Sequence, residues 1–191
     1  MQIIKKPHDY RSNYDHLRGL VDMILDFPQS MKRETMVEIG AGTGDSTEIF
    51  SMFFDYVISI DPMLNTTDGV NAQDVCRAIL EKKIKDKNIT TIYDYSHEAI
   101  HQLKYAGPIK MVYIDGNHAY SFVKKDIQLY WPLITEGGFL CGHDYGVTTP
   151  EAILSKQDGV KQAVDEIFGE PDRLYEDTSW CVQKKEGRKT I

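Results

Sequence analysis

The side chains best suited to move a proton or hold a cation stand in two short runs. Tyr113-Ile114-Asp115-Gly116-Asn117-His118 places a carboxylate and an imidazole three residues apart, and Gly142-His143-Asp144-Tyr145 places a second such pair side by side. Carboxylates supply the hard oxygen ligands that Mg²⁺ or another divalent cation takes. An imidazole titrates near neutrality, so it can serve as base toward a hydroxyl. Asp115 and Asp144 are therefore the candidate metal ligands and His118 the candidate base, with Asp115 beside it. His143 is a softer donor than Mg²⁺ prefers. It stands either as a further ligand or as a group that only orients its neighbour. Each residue also has a plainer role available, an Asp as a helix cap and a His as a member of a first helical turn.

A third run is built for binding. Glu38-Ile39-Gly40-Ala41-Gly42-Thr43-Gly44 joins an apolar stretch to a helix-forming one. Glycines at such a joint let the backbone bend sharply and let a ligand approach closely. A dinucleotide fingerprint requires a further glycine where Asp45 stands, and an acidic residue at a helix start repels a pyrophosphate. The favoured ligand thus carries no phosphate at the turn. Asp61 closes the next apolar run, Val57-Ile58-Ser59-Ile60, where a carboxylate can accept hydrogen bonds from both hydroxyls of a ribose. Together the turn and Asp61 point to adenosine.

These residues need a frame that brings them together. Short apolar runs alternate with amphipathic stretches, the pattern of βαβ units around a parallel sheet. Strands are expected at Thr35–Ile39, Tyr56–Ile60, Ile89–Tyr93, Met111–Ile114 and Phe139–Gly142, the last opened by Gly137-Gly138, with two more around Arg173–Tyr175 and Trp180–Val182. Helices are expected at Tyr14–Asp26, from about Thr47, at Asn71–Lys87 with Val75, Ala78, Ile79 and Ile84 inward, at Glu98–Tyr105, at Tyr120–Tyr130 and at Val160–Phe168. The result is a doubly wound α/β fold with a mostly parallel seven-stranded sheet and an antiparallel strand near the C-terminus. Ligands of such sheets sit at the carboxyl ends of the strands, where all three runs fall.

The 191 residues are read as one domain, 1–191, since neither a repeat nor a linker interrupts them. Hydrophobic residues make up 41% and charged residues 27%, an ordinary globular balance. A net charge of −7 argues against a nucleic-acid partner, which needs a basic face. The densest basic run, Lys82, Lys83, Lys85 and Lys87, reads as a solvated helix face. Cys76, Cys141 and Cys181 are far apart, include no CxxC pair and suit a reducing compartment. No apolar run is of membrane-spanning length and the start of the chain lacks a signal-peptide core, so a cytoplasmic protein with no membrane partner is expected.

The segment from Glu38 to Asp61 resembles motif I of the class I S-adenosylmethionine-dependent methyltransferases. That resemblance implies a Rossmann-like methyltransferase fold and S-adenosyl-L-methionine as cofactor. Glu38, Gly40, Gly42 and Gly44 would face its methionine part and Asp61 its ribose. Asp94-Tyr95-Ser96, after the third strand, resembles the segment that borders the adenine. The stretch Val112–Tyr145, with Gly159-Val160-Lys161-Gln162-Ala163-Val164 and Ser179-Trp180, resembles a subgroup that includes the macrocin-type sugar O-methyltransferases. By that resemblance Asp115 and Asp144 match divalent-cation ligands and His118 the base, whereas His143 stands where an acid is usual. The implied acceptor is a small molecule such as a sugar, and the polar stretch Thr148–Asp158 is expected to form part of a lid. Two alternatives remain: an NAD-dependent oxidoreductase, opposed by Asp45, and a catalytically silent S-adenosylmethionine-binding module on the same fold. Nucleic-acid amino-methyltransferases carry an Asn/Asp-Pro-Pro-aromatic run after the fourth strand, and here Asp115-Gly116-Asn117-His118 stands in its place.

Overall fold

A computed structural model describes residues 15–63, 72–146 and 159–188 of the chain. The seven strands are β1 (Thr35–Ile39), β2 (Tyr56–Ile60), β3 (Ile89–Ile92), β4 (Ile109–Ile114), β5 (Ile134–Gly142), β6 (Arg173–Leu174) and β7 (Trp180–Gln183). The α-helices are α1 (Arg18–Leu25), α2 (Asp45–Phe53), α3 (Ala72–Ile84), α4 (Ser96–Ala99), α5 (Tyr120–Tyr130) and α6 (Gly159–Phe168). The sheet runs β3-β2-β1-β4-β5-β7-β6. β1 to β5 pair in parallel and β7 runs antiparallel to both β5 and β6. This is the α/β architecture expected, with the antiparallel strand at the expected end.

Parallel strands covered on both faces must be apolar on both. All five residues of β1 are buried, and successive side chains feed two separate cores. Val37, Ile39, Val112, Ile114 and Leu140 pack beneath α5, α6 and the α4 segment. Met36, Met111, Tyr113, Phe139 and Cys141 pack beneath α1 and α2. Leu17, Leu20, Val21 and Ile24 are buried as their helical spacing predicts.

Several local details differ from expectation. The first helix opens as a 3₁₀ turn at Asp15–Leu17, and the 96–105 segment divides into α4 and a further 3₁₀ turn, Ile100–Tyr105. β5 begins earlier, at Ile134, and takes in the glycine pair. α3 buries a stripe that keeps only Ile84 of the expected one: Leu80 is inaccessible, Cys76 and Ile84 pack beside it, and Val75, Ala78 and Ile79 are exposed. The helix carries two neighbouring apolar stripes, and its approach to Ala41 and Met63 selects one. The lysine run is not merely solvated, because Lys83 pairs with Asp45 and Lys87 with Glu48, tying α3 to α2. Tyr14, Asn71 and the proposed lid at Thr148–Asp158 lie outside the described residues. No helix among the described residues is long and apolar enough to cross a membrane.

The strand order reverses between β1 and β4. The chain leaves β1 toward β2 and β3, then returns to β4 on the other side, so the connections at the carboxyl ends diverge and leave a crevice.

Candidate active site

The glycine turn after β1 depends on backbone that other residues rarely adopt. Gly40, Gly42 and Gly44 have φ of 95°, 50° and 82°. At Gly40 a Cβ would lie 2.2 Å from the Asp115 carbonyl oxygen. The glycine turn and the end of β4 thus touch backbone to backbone, and Asp115 N–H donates to the Ile39 carbonyl at 2.8 Å. Asp45, at the start of α2, accepts from the Thr43 hydroxyl at 3.3 Å and pairs with Lys83, which offsets its charge.

Asp61 folds back onto this turn. Its Oδ2 accepts from Gly42 N–H at 2.8 Å and its Oδ1 from Met63 N–H at 2.7 Å. A carboxylate oxygen has a second lone pair, so each can still accept a hydroxyl. Asp61→Ala is expected to weaken S-adenosylhomocysteine binding by about 1–3 kcal/mol, the range for a charged hydrogen-bond partner. Unchanged affinity by calorimetry would remove Asp61 from the ribose site.

Glu38 lies beneath the turn. It is fully buried. Its Oε1 accepts from Ser46 at 2.5 Å, and its Oε2 from Thr47 at 2.5 Å and Ser59 at 2.9 Å. Those hydroxyls belong to α2 and β2, so the carboxylate pins both elements to β1. Burial pushes its pKa up to about 7, against the three hydroxyls and with a further push from Asp115. The folded pKa exceeds the ordinary carboxyl value, so the stabilisation this favours is complete below about pH 4 and is lost as pH rises through 7. The full swing is about 3 kcal/mol. Melting temperatures measured from pH 5 to 8 should therefore fall more steeply for the native chain than for Glu38→Gln, which stays neutral. Parallel curves would contradict the assignment.

Asp94 and Ser96 sit at the end of β3. Asp94 accepts from Tyr95 N–H at 2.8 Å. The Ser96 hydroxyl donates to Asp126 of α5 at 2.5 Å, and its carbonyl accepts from Tyr130. Ser96 thus anchors α4 to α5, and of the two only the Asp94 carboxylate has no second element to hold among the described residues.

The Asp and His side chains of the two runs do converge. His118 Nε2 stands 3.6 Å from Asp115 Oδ1 and 3.1 Å from Asp144 Oδ2, bridging the ends of β4 and β5. His143 Nδ1 lies 3.3 Å from the same Asp144 oxygen. One ligand atom from each of Asp115, His118 and Asp144 falls within 4.8 Å of the others, a donor set that suits a divalent cation. The cluster takes in His118 and leaves out His143, which orients Asp144. His143 Nε2 is buried with no hydrogen-bond partner among the described residues. Burial pushes the Asp115 carboxyl up, opposed by both imidazoles. The Asp115 carboxylate beside it raises the His118 pKa, with Asp144 adding to it against the cost of burial. Burial opposes charge on Asp144, but His143 and His118 outweigh it and hold its carboxyl low.

Two supporting residues had no role assigned from the sequence, although Gly159 stands in a segment that carries the resemblance. Asp144 has a left-handed backbone, φ 61°, which Asp tolerates better than most residues. Its N–H donates to the Thr178 hydroxyl at 3.1 Å, and Tyr145 N–H donates to the Thr178 carbonyl. Thr178 is thus the clasp that seats Asp144, and only its place beside Ser179-Trp180 could have drawn notice. Gly159 opens α6 against the His118 loop, where a Cβ would lie 2.2 Å from Tyr120 N and 2.5 Å from the His118 carbonyl oxygen.

The fold has counterparts among known proteins. A family model described as a methyltransferase domain matches residues 37–145, more than half of the chain. The chain belongs to this family, and its fold is that of the class I S-adenosylmethionine-dependent methyltransferases. Among solved structures it is similar to the O-methyltransferase TomG of Streptomyces achromogenes in complex with S-adenosylmethionine, at 11% identity and TM-score 0.61 over 94% of this chain and 89% of that one. It is also similar to CalS11, a TDP-rhamnose 3′-O-methyltransferase of calicheamicin biosynthesis, at 14% identity and TM-score 0.59 over 93% and 87%. An rRNA methylase from Streptococcus thermophilus matches at 16% identity and TM-score 0.57 over 88% and 98%. A curated relative, uncharacterized protein R132 of Acanthamoeba polyphaga mimivirus, is 30% identical over 116 residues, covering 58% of this chain. The chain spans about half the length of that relative, 51% being matched.

Proposed function

We propose that this chain transfers a methyl group from S-adenosyl-L-methionine to a hydroxyl of a small molecule, with a sugar hydroxyl as the leading acceptor. The observation that carries the reading is the contact between Gly40 and Asp115. It sets the glycine turn against the Asp115–His118–Asp144 cluster at one end of the sheet. The donor supplies a methyl on a sulfonium, already activated, so alignment with the nucleophile is the main demand on the protein.

In this reading the turn and Asp61 hold the donor, and Asp115 and Asp144 orient the acceptor hydroxyl. His118 takes the hydroxyl proton as the carbon–oxygen bond forms and the carbon–sulfur bond breaks. A divalent cation held by Asp115 and Asp144 would supply positive charge to lower the hydroxyl's pKa. The net charge of −7 supports a small acceptor over a nucleic acid, and CalS11 supports a sugar.

The test pairs calorimetry of S-adenosylhomocysteine with turnover on a panel of sugar nucleotides and phenols, with and without Mg²⁺. Tight binding of the cofactor product and metal-stimulated turnover are expected. Asp144→Ala should abolish any Mg²⁺-dependent thermal shift. Full activity after EDTA treatment would reassign Asp115 and Asp144 to hydrogen bonding with the acceptor, and preferential binding of NADH would overturn the reading.

A further inference from the structure

Cys141 and Cys181, distant in sequence, face each other across β5 and β7. The antiparallel register sets them directly opposite, and both thiols are free and fully buried. Two observations define the type of pair. Lys184 N–H donates to the Gly138 carbonyl across the same strands at 2.8 Å, and Cys141–Cys181 lies three steps along the ladder from that pair. Hydrogen-bonded and non-hydrogen-bonded pairs alternate, so an odd number of steps reverses the type. Independently, the Cys181 carbonyl accepts from Asp172 N–H at 2.9 Å, on the β6 side, which turns its peptide groups away from β5. The two cysteines are therefore a non-hydrogen-bonded pair, whose Cα atoms stand about 4.5 Å apart with side chains close together. A disulfide requires Cα separations of about 4.4–6.8 Å.

We propose that Cys141 and Cys181 are an oxidation site, a cross-strand dithiol that a small peroxide converts into a disulfide within the folded protein. The Cys141 thiol opposite and the Arg173 charge ease Cys181 toward the thiolate against the cost of burial. Hydrogen peroxide is neutral and near water in size, so brief local opening beneath α1 admits it. It oxidises one thiol to a sulfenic acid and leaves as water. The second sulfur then attacks that sulfur, the S–S bond forms, and the hydroxyl departs with the remaining thiol proton as a second water. Two electrons pass from the cysteines to the peroxide and no atom is added to the core. The bond pins β7 to the strand that delivers His143 and Asp144, and it closes the chain from Cys141 to Cys181.

The test needs neither cofactor nor acceptor, so it stands apart from the methyl-transfer reading. The folded native chain is treated with a few equivalents of hydrogen peroxide, its remaining thiols are alkylated after unfolding, and its peptides are mapped without reduction. The expected result is a peptide joining Cys141 to Cys181, reversed by dithiothreitol, with a melting temperature raised by roughly 5–10 °C. Alkylation of both cysteines, a cross-link through Cys76 instead, or a melting temperature that does not rise would overturn the proposal. Cys181→Ala should lose the shift, and the peptide map of the native chain decides the question if that variant fails to fold.

Discussion

Turnover in His118→Ala should fall by about 10²–10⁴-fold, the contribution of a positioned general base, with S-adenosylhomocysteine affinity unchanged. The affinity should hold because the glycine turn and Asp61 stand on β1 and β2, whereas His118 lies past β4. The same histidine bridges two carboxylates, and when protonated it places a positive charge between them. Two carboxylates so placed repel unless a proton or a cation intervenes. Removing His118 should therefore preserve the Mg²⁺-dependent thermal shift and make it larger, since imidazolium no longer competes for the site. The bridging also sets the pH dependence. Asp115 and Asp144 raise the His118 pKa, so the neutral base is scarce below that value, and turnover in the native chain should climb with pH through a point above the ordinary histidine value. Single-turnover rates against pH check this. A variant that keeps native turnover would remove His118 from the chemistry, and a lost thermal shift would make it a ligand.

Gly40→Ala is the second large effect. The left-handed φ of 95° costs an alanine strain, and its Cβ would press on peptide atoms of Asp115 and Gly116. Backbone cannot swing aside as a flexible side chain can, so either the turn or the end of β4 must shift. The expected loss is about 2–4 kcal/mol of stability, seen as a lower denaturation midpoint, together with loss of S-adenosylhomocysteine binding. Gly42→Ala separates the two consequences, because a Cβ there meets nothing within 4 Å. It should keep the core packing and lose stability only through backbone strain. Native stability in Gly40→Ala would show that the turn and β4 do not bear on each other.

The sequence by itself determined the order and type of the elements and the residues able to do chemistry. Apolar runs such as Thr35–Ile39 and Met111–Ile114, the glycines at the turns and the helical spacing of Leu17, Leu20, Val21 and Ile24 are local signals, and secondary structure is specified locally. The turn at Gly40 and its distance to Asp61 were legible for the same reason. The tertiary structure alone decided what meets across strands and layers. It buried Leu80 and left Val75 exposed, because the partner of a helix face is not written in its own periodicity. Glu38 is buried among three hydroxyls, which come from elements that fold over it from elsewhere in the chain. His118 lay between the carboxylates once parallel pairing set β4 beside β5. Cys141 met Cys181 only through antiparallel register, which depends on how a distant strand inserts at the edge of the sheet.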